Sequence, residues 1–372
     1  MQTTTLHARH VELGAKMVPF AGWEMPLHYG SQVQEHHAVR QKVGLFDVSH
    51  MGHVAVAGEK SVEYLQFLLA NDVAKLTEDG AALYTAMLNS AGGVIDDLIV
   101  YREHAKRYHL VVNAATREGD VRWMQDRAKD FAGEHLTVIP LDNLGMIAVQ
   151  GPEASKIIPK LLDDPALAEL KPFHGQPMLG GWAARTGYTG EDGYELIFPT
   201  YLIESLWDQM IADGVTPAGL AARDTLRLEA GMNLYGQDMD QKIDPLSCGM
   251  GWSVAREPAE RNFVGRGYLE LLWSSGGSAH KRIGIVLESK AIPRAGQTVL
   301  AGGRPVGTVT SGSWSPTLEK GIAMARVEQG LCLGEACAVD IRNRAVAGRV
   351  VSLPFVRHGE AVYRDQPKGG SQ

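Results

Sequence analysis

Two adjacent carboxylates, Asp96 and Asp97, stand in the middle of a segment, residues 92–101, that otherwise predicts a β-strand. Asp is depleted in strands, and a buried carboxylate is strongly destabilising unless donors satisfy it. Side chains alternate between the two faces of a strand, so the two carboxylates must point in opposite directions. At most one of them is expected to enter a given pocket, where it could serve as an acid, a base or a hydrogen-bond acceptor. The alternative is a strand that starts at Ile95, with Asp96 solvated at its edge.

Other polar side chains lie in segments rich in glycine and aromatic residues, namely residues 20–26, 47–52 and 188–195. In the last segment, Glu195 shares a predicted strand face with Ile197, so it could sit in a pocket. A plain hairpin with Glu195 at the sheet edge explains the same pattern equally well.

Arg223 lies on a predicted helix and could hold a carboxylate through two hydrogen bonds. Its alternative interpretation is a solvated charge on a polar helix face, together with Asp224 and Arg227. Carboxylates, aromatic rings and an arginine together suit a flat, nitrogen-rich heterocycle with a carboxylate tail. A folate is such a ligand, but these residue types do not distinguish it from a purine or a flavin.

Several apparent motifs fail on spacing. Residues 58–61 imitate the end of a phosphate-binding loop but lack its first glycine. The glycines of residues 187–193 have the wrong spacing for a dinucleotide fingerprint. The pair Glu35 and His36, followed by His37, resembles a metal site, but adjacent helical residues face different directions, which favours a solvated helix face. No metal site is predicted.

The whole chain has 372 residues and a net charge of −7, with no basic stripe. Its length predicts two or three domains, and its charge argues against nucleic-acid binding. The three cysteines, Cys248, Cys332 and Cys337, form neither a disulfide framework nor a metal-binding spacing. The N-terminus lacks the apolar core of a signal peptide, and no apolar run is long enough for a membrane span. We therefore expect a cytoplasmic protein with reduced thiols and no membrane partner.

The predicted elements place these residues on antiparallel strands. Strands are expected at 84–88 and 94–101, joined by a turn at 89–93, then at 108–112, before a helix at 116–131. A helix at 62–70 is expected to begin with Ser61 as its N-cap. Further strands at 146–150, 182–185 and 194–198 and helices near 32–42, 203–211 and 221–230 complete an α+β pattern. Beyond a polar linker at 274–278, six short strands predict a small β-barrel or sandwich.

Six segments together resemble the aminomethyltransferase (T-protein) family of the glycine cleavage system. They keep the family's order and spacing from about residue 6 to residue 358: 20–23 (FAGW), 45–51 (LFDVSHM), 92–100 (GGVIDDLIV), 148–152 (AVQGP), 187–195 (GYTGEDGYE) and 219–231 (GLAARDTLRLEAG). The resemblance implies an α+β fold of three domains around a central folate site, two with antiparallel sheets plus helices and a C-terminal all-β barrel. The implied domains are 1–52 with 139–272, then 53–138, then 279–362.

The resemblance also implies a reaction. An aminomethyl group on the dihydrolipoyl arm of H-protein would be transferred to tetrahydrofolate as co-substrate, giving 5,10-methylenetetrahydrofolate, ammonia and the reduced arm. Asp97 matches the family's functional acid, and Glu195 and Arg223 match folate-binding positions. The remaining matches near the ligand are Tyr84, Met51, Asn113 and Tyr188. The chain departs from some members after residues 354–356, where Arg357 precedes the place of a folate-contacting tyrosine and is expected to substitute for it.

Two other functions remain as alternatives. One is a folate-dependent demethylase of a small methylated substrate, which would share the pocket without docking H-protein. The other is a non-enzymatic folate-binding accessory protein of iron–sulfur cluster assembly, although the motifs of that group are absent. A purine-binding protein is a weaker third option.

Overall fold

The computed structural model of the chain describes residues 1–131 and 135–366. The helices within these ranges are α1 (His7–Glu12), α2 (Gln32–Gln41), α3 (Ser61–Leu68), α4 (Arg117–Ala128), α5 (Ala154–Leu161), α6 (Ala166–Glu169), α7 (Thr200–Ala212), α8 (Leu220–Glu229) and α9 (Arg266–Ser274). No helix in this part of the chain is long and apolar enough to cross a membrane.

The strands in the same ranges are β1 (Gln2–Thr3), β2 (Lys16–Phe20), β3 (Trp23–His28), β4 (Gly44–Asp47), β5 (Gly52–Ala57), β6 (Ala82–Leu88), β7 (Val94–His104), β8 (Arg107–Val112), β9 (Thr137–Pro140), β10 (Leu144–Gln150), β11 (Gly175–Met178), β12 (Gly181–Ala184), β13 (Gly193–Pro199), β14 (Thr216–Pro217), β15 (His280–Leu287), β16 (Thr298–Ala301), β17 (Arg304–Ser315), β18 (Lys320–Glu328), β19 (Ala336–Asp340), β20 (Ala345–Val351), β21 (Val356–Arg357) and β22 (Glu360–Ala361).

A six-stranded sheet in the order β11-β12-β13-β10-β4-β14 forms the first layer. Alternation along β10 sends Ile147 and Val149 into a core beneath α5, α6 and α7, and Met146 and Ala148 into a second core against α8. Both faces of this sheet are therefore buried, which explains the near-continuous apolar run of β10.

A five-stranded antiparallel sheet in the order β6-β7-β8-β5-β9 forms the second layer. Its outer face packs against α3 and α4 through Leu98, Val100 and Met124, among others. Its opposite face contributes Tyr101 and Val111 to the core shared with the six-stranded sheet. Because side chains alternate along β7, one of the adjacent acids Asp96 and Asp97 must face α4 and the other must face the shared side.

The C-terminal strands β15-β18-β17-β16-β19-β20 close into a barrel, which leaves no open sheet edge. Helix α8 attaches the barrel to the first sheet through buried charges. The Arg227 guanidinium donates to Asp238 at 3.0 Å and to the hydroxyl of Ser311, on β17, at 2.9 Å. Glu229 accepts from the hydroxyl of Thr317 at 2.8 Å.

Glu229 also joins α8 to α2. Its Oε2 lies 2.7 Å from Arg40 and 3.3 Å from His36, and all three side chains are buried. Burial by itself would raise the pKa of Glu229, but the hydrogen bond and charge of His36, the charge of Arg40 and the Ser315 hydroxyl bring it to about 2. The carboxylate is therefore a stabilising centre between α2, α8 and the barrel.

The α+β class and the C-terminal barrel are confirmed, and two local predictions are wrong. Ser61 is the first residue of α3 and caps nothing. Glu35 and His36 are buried in a hydrogen-bonded interface rather than solvated. The alternative of a solvated polar helix face around Arg223 does not hold for Arg227, which is buried against the barrel, whereas Asp224 is 47% exposed. The domain boundaries at 52/53, 138/139 and near 272–279 stay predictions.

Candidate active site

A cavity of about 1510 Å³ lies where the six-stranded sheet, the five-stranded sheet and the barrel meet. All seven residues expected at the site line this cavity, as does Arg357: Met51, Tyr84, Asp97, Asn113, Tyr188, Glu195 and Arg223. The structure therefore brings together side chains that are widely separated in sequence.

Asp97 points into the cavity from β7, whereas Asp96 is buried on the opposite face of the strand. Oδ2 of Asp97 accepts from the hydroxyl of Tyr84 at 2.7 Å, and Oδ1 accepts from the side-chain amide of Asn113 at 2.9 Å. The expected opposite orientation of the two acids is confirmed. Asp96 is satisfied by Asn113 as well, through its backbone N–H at 3.0 Å and its amide at 2.9 Å.

The glycines before β7 allow this strand to start against the segment that follows α8. A Cβ on Gly93 would lie 1.8 Å from the carbonyl oxygen of Gln241, so only glycine permits the approach. The backbone N–H of Val94 donates to the carbonyl of Ile243 at 3.0 Å. This close contact holds the start of the strand that carries Asp97 against the segment after α8, while its register comes from pairing with β6 and β8.

Burial raises the pKa of Asp97 to about 7, and the neighbouring carboxyl of Asp96 acts in the same direction. The hydrogen bonds from Tyr84 and Asn113 oppose this rise. Burial and the Asp97 charge keep the pKa of Tyr84 well above its usual value, so its hydroxyl remains a neutral donor. A carboxyl group with a pKa near neutrality can accept and return a proton at physiological pH.

The ring of Tyr84 stacks on Trp252, with 5.4 Å between centroids and 17° between planes. Trp252 is 70% exposed and lines the cavity. An exposed aromatic face beside a cavity suits a flat ligand or an entering side chain. Trp252 thus extends the polar site around Asp97 toward solvent.

The opposite wall carries Glu195 and Arg223. Glu195 accepts from the hydroxyl of Thr186 at 2.6 Å, and burial raises its pKa despite that bond and the nearby Arg223 charge. The guanidinium of Arg223 lies 4.7 Å from the ring centroid of Tyr188, and its buried Nη1 has no hydrogen-bond partner within the described chain. A buried cationic donor without a partner favours an acceptor group from a ligand.

Residue patterns missed several cavity-lining residues, including Trp252, Arg227 and the barrel's Arg282. Trp252 lies in a short 3₁₀ turn, Gly251–Ser253, with no periodic pattern around it. Asp120 of α4 was also missed, although its position four residues before the inward-facing Met124 placed it on the buried face. Within the described ranges, no three His, Cys, Asp or Glu side chains are grouped closely enough to hold a metal ion.

Comparison with known proteins agrees with this architecture. A family model described as the GCVT N-terminal domain matches residues 6–257, and one described as the glycine cleavage T-protein C-terminal barrel domain matches residues 280–357. The crystal structure of glycine cleavage system aminomethyltransferase T from Bartonella henselae is similar, with a TM-score of 0.90 and 35% identity over 96% of this chain and 98% of that chain.

A heterotetrameric sarcosine oxidase from Corynebacterium sp. U-96 matches with a TM-score of 0.32 and 14% identity, over 53% of this chain and 92% of that chain. That similarity is too low to carry an argument. The two family models cover most of the chain, and the Bartonella structure shares its fold over nearly its whole length. The chain belongs to the glycine cleavage T-protein family.

Proposed function

We propose that this chain is a tetrahydrofolate-dependent aminomethyltransferase of glycine cleavage in which Asp97 is the catalytic residue. The transferase class follows from the family and from the 35% identity to the Bartonella aminomethyltransferase. The demethylase and the non-enzymatic folate-binding protein are not favoured, because both matching family models describe glycine cleavage T-proteins. A cytoplasmic location remains part of the proposal.

The proposed substrates are tetrahydrofolate and the aminomethylated dihydrolipoyl arm of H-protein. The products are 5,10-methylenetetrahydrofolate, ammonia and the reduced arm. Tetrahydrofolate, when bound, supplies the two nitrogens between which the one-carbon unit is held. The cavity fits such a molecule, since it offers the unpartnered Nη1 of Arg223, the buried carboxyl of Glu195 and the rings of Tyr188 and Trp252.

Asp97 carries the proposal. Each of its oxygens accepts one hydrogen bond from the protein, and each retains a lone pair for a donor on the ligand. With a pKa of about 7, the carboxylate can orient an N–H group of the folate and take its proton as the ring closes. The fixed geometry also holds reacting groups together, an effect worth roughly 7–11 kcal/mol in well-oriented systems.

Arg223 and Glu195 are proposed to bind the folate rather than to take part in proton transfer. Arg223 supplies hydrogen-bond donors and positive charge, and Glu195 accepts from ring N–H groups. Met51, Tyr84, Asn113 and Tyr188 are proposed ligand neighbours because they line the same cavity. Arg357 is exposed at its edge and is proposed to replace the C-terminal folate contact.

The test is Asp97→Asn in the full-length chain, assayed with aminomethylated H-protein and tetrahydrofolate. We expect folate affinity within a few-fold of the unaltered protein and loss of most ammonia release, since the amide cannot accept the proton. Asp126→Asn makes the same chemical change on a 68% exposed side chain and is expected to be fully active. Normal turnover by Asp97→Asn would reject its catalytic role.

The same assay separates the alternative functions. Ammonia release that depends on both tetrahydrofolate and aminomethylated H-protein supports the transferase. Folate binding with no ammonia release from H-protein would instead favour the demethylase or the folate-binding protein.

A further inference from the structure

A second buried carboxyl group, Asp120 of α4, lies behind the strand that carries Asp97. Its side chain is fully buried, and neither oxygen has a hydrogen-bond donor within the described chain. The nearby hydroxyl of Thr116 donates to the carbonyl of Asn113 instead, at 3.1 Å. A buried carboxylate with no donor is strongly destabilising, so an ionised Asp120 without a partner is not a stable arrangement.

The carboxyl group that faces Asp120 is Asp96, and the two side chains are within hydrogen-bonding reach of each other. Strand alternation explains the contact, because Asp96 lies on the same face of β7 as Leu98 and Val100, which pack with Met124 of α4. Two ionised carboxylates only accept hydrogen bonds and repel each other, whereas a protonated carboxyl can donate to a carboxylate. The geometry therefore requires one proton between Asp96 and Asp120.

Within the described chain, the charges that act most strongly on Asp96 and Asp120 are those of other acids, Asp120 and Asp97 respectively. Arg223 and Arg227 act on Tyr188, and Arg282 acts on Cys248. The titratable groups near the three acids are Tyr84 of β6, Tyr188 after β12, and Tyr235, Asp240 and Cys248 after α8. Burial raises the pKa of each of these tyrosines and of Cys248, so they stay neutral at physiological pH. Burial also raises the pKa of Asp96 well above its usual value and that of Asp120 to about 7.

The consequence passes to Asp97 through Asn113. Asp96 accepts both the backbone N–H and the side-chain amide of Asn113, which fixes the orientation of that amide. The same amide donates to Oδ1 of Asp97 at 2.9 Å and to the backbone carbonyl of Asp97 at 3.0 Å. A change in the charge or position of Asp96 must therefore alter both the orientation and the electrostatic surroundings of Asp97.

We propose that Asp120 is a positioning residue for Asp97: it shares one proton with Asp96, and this pair orients Asn113 and prevents a second full negative charge beside Asp97. The inference rests on the proposed role of Asp97 in the transferase. It goes beyond that role, because Asp120 does not line the cavity.

The kinetic test is Asp120→Asn. The new amide donates to Asp96, so Asp96 gives up the shared proton and takes a full charge. The full negative charge on Asp96 disfavours ionisation of Asp97 and raises its pKa. We therefore expect the acid limb of the kcat/KM profile, the range in which activity rises with pH, to move by about one pH unit to higher pH. Activity then falls several-fold near pH 7 and recovers at higher pH, with little change in folate affinity. If Asp120→Asn is less stable but its kcat/KM profile does not move along the pH axis, Asp120 has only a structural role and the proposal is overturned.

Glu118→Gln, on the same helix but 81% exposed, is the matched control and is expected to leave the profile unchanged. A second measurement uses the unaltered protein and does not depend on turnover. In ¹³C NMR of protein labelled at the aspartate carboxyl carbons, one carboxyl is expected to stay protonated near pH 8, well above the ordinary range for aspartate.

The signal is assigned by its loss in Asp120→Asn. If every aspartate is ionised near pH 8, the shared proton does not exist and the proposal fails, whatever reaction the chain catalyses. If the protonated carboxyl is present but no aminomethyl transfer occurs, the pair stands and the proposed function fails. The two failures are therefore distinguishable, and the absence of any protonated carboxyl near pH 8 rejects the proposal without using the variant.

Discussion

Replacing Tyr84 by Phe removes one of the two donors that hold Asp97 as a carboxylate. The lost hydrogen bond runs from the tyrosine hydroxyl to Oδ2 of Asp97 over 2.7 Å. The ring that stacks on Trp252 is kept, so the cavity wall should retain its shape. Because this hydrogen bond lowers the pKa of Asp97, its removal must raise that pKa.

The size of the effect follows from the strength of one hydrogen bond to a charged group, about 1.5–3 kcal/mol. Asp97 is only partly buried, so water can replace part of the loss, and the lower figure applies. About 1.4 kcal/mol corresponds to a tenfold change in the acid dissociation constant. Starting from a pKa of about 7, the ionised fraction at pH 7 falls from about one half to about one tenth.

The assay is the initial rate of ammonia release from aminomethylated H-protein and tetrahydrofolate between about pH 6 and about pH 9. We expect about fivefold lower activity at pH 7 and nearly equal activity at pH 9, since both forms are then ionised. Tyr64→Phe removes another buried hydroxyl, which donates to the carbonyl of Met124, and should lower stability without moving the profile. An equal loss at every pH, or an unmoved acid limb, would refute the reasoning.

The remaining predictions concern binding and stability. Arg223→Ala should weaken folate binding by about 10- to 100-fold in titration calorimetry. The control Arg122→Ala, at a 70% exposed position, should leave the affinity unchanged. Unchanged folate affinity in Arg223→Ala would exclude the contact. Glu229→Gln should lower the free energy of unfolding in urea by about 3 kcal/mol near pH 7, because it breaks a buried pair with Arg40. Since the folded pKa of Glu229 is about 2, the difference in unfolding free energy between the variant and the unaltered protein should shrink as the pH falls from about 4.5 toward 2. Equal stability of the two proteins at pH 7 would contradict the stabilising role of the pair. Asp97→Asn should be more stable than the unaltered protein at pH 8 by about 1–3 kcal/mol. Its gain should be full above about pH 7 and should shrink as the pH falls toward about 4, because a carboxyl with a raised folded pKa loses stability as the pH rises from its unfolded pKa of about 3.9 to its folded pKa of about 7. A less stable variant at pH 8 would show that burial does not disfavour the carboxylate.

Local pattern alone predicted the strand around Asp97, its opposite orientation to Asp96 and the short strands of the barrel. These features depend on side-chain alternation and on turn residues that lie nearby in the chain. The selection of Asp97 over Asp96 came from the family resemblance, since residue types gave no reason to prefer either face.

Features that depend on distant packing could not be predicted. His36 looked solvated because its burial comes from Glu229 and Thr317, which α8 and the barrel bring to it. The stack of Trp252 on Tyr84 likewise joins segments that only the complete fold places together. Asp120 is different: it lies four residues before the inward-facing Met124 on α4, so this spacing indicated a buried acid in need of a partner.

The interruption of the six-stranded sheet bears on how the chain folds as it is synthesised. β4 pairs with β10, yet residues 48–143 lie between them and contain every strand of the five-stranded sheet. A ribosome therefore releases β4 well before its partner exists, while the inserted strands can complete all their pairings first. Asp97 and Asn113 would be in place before Glu195 and Arg223 have been made. The pocket is thus assembled in two stages, and a nascent chain stopped before β10 would carry Asp97 and Asn113, with the proposed proton-transfer role, without Glu195 and Arg223, which are proposed to bind the folate.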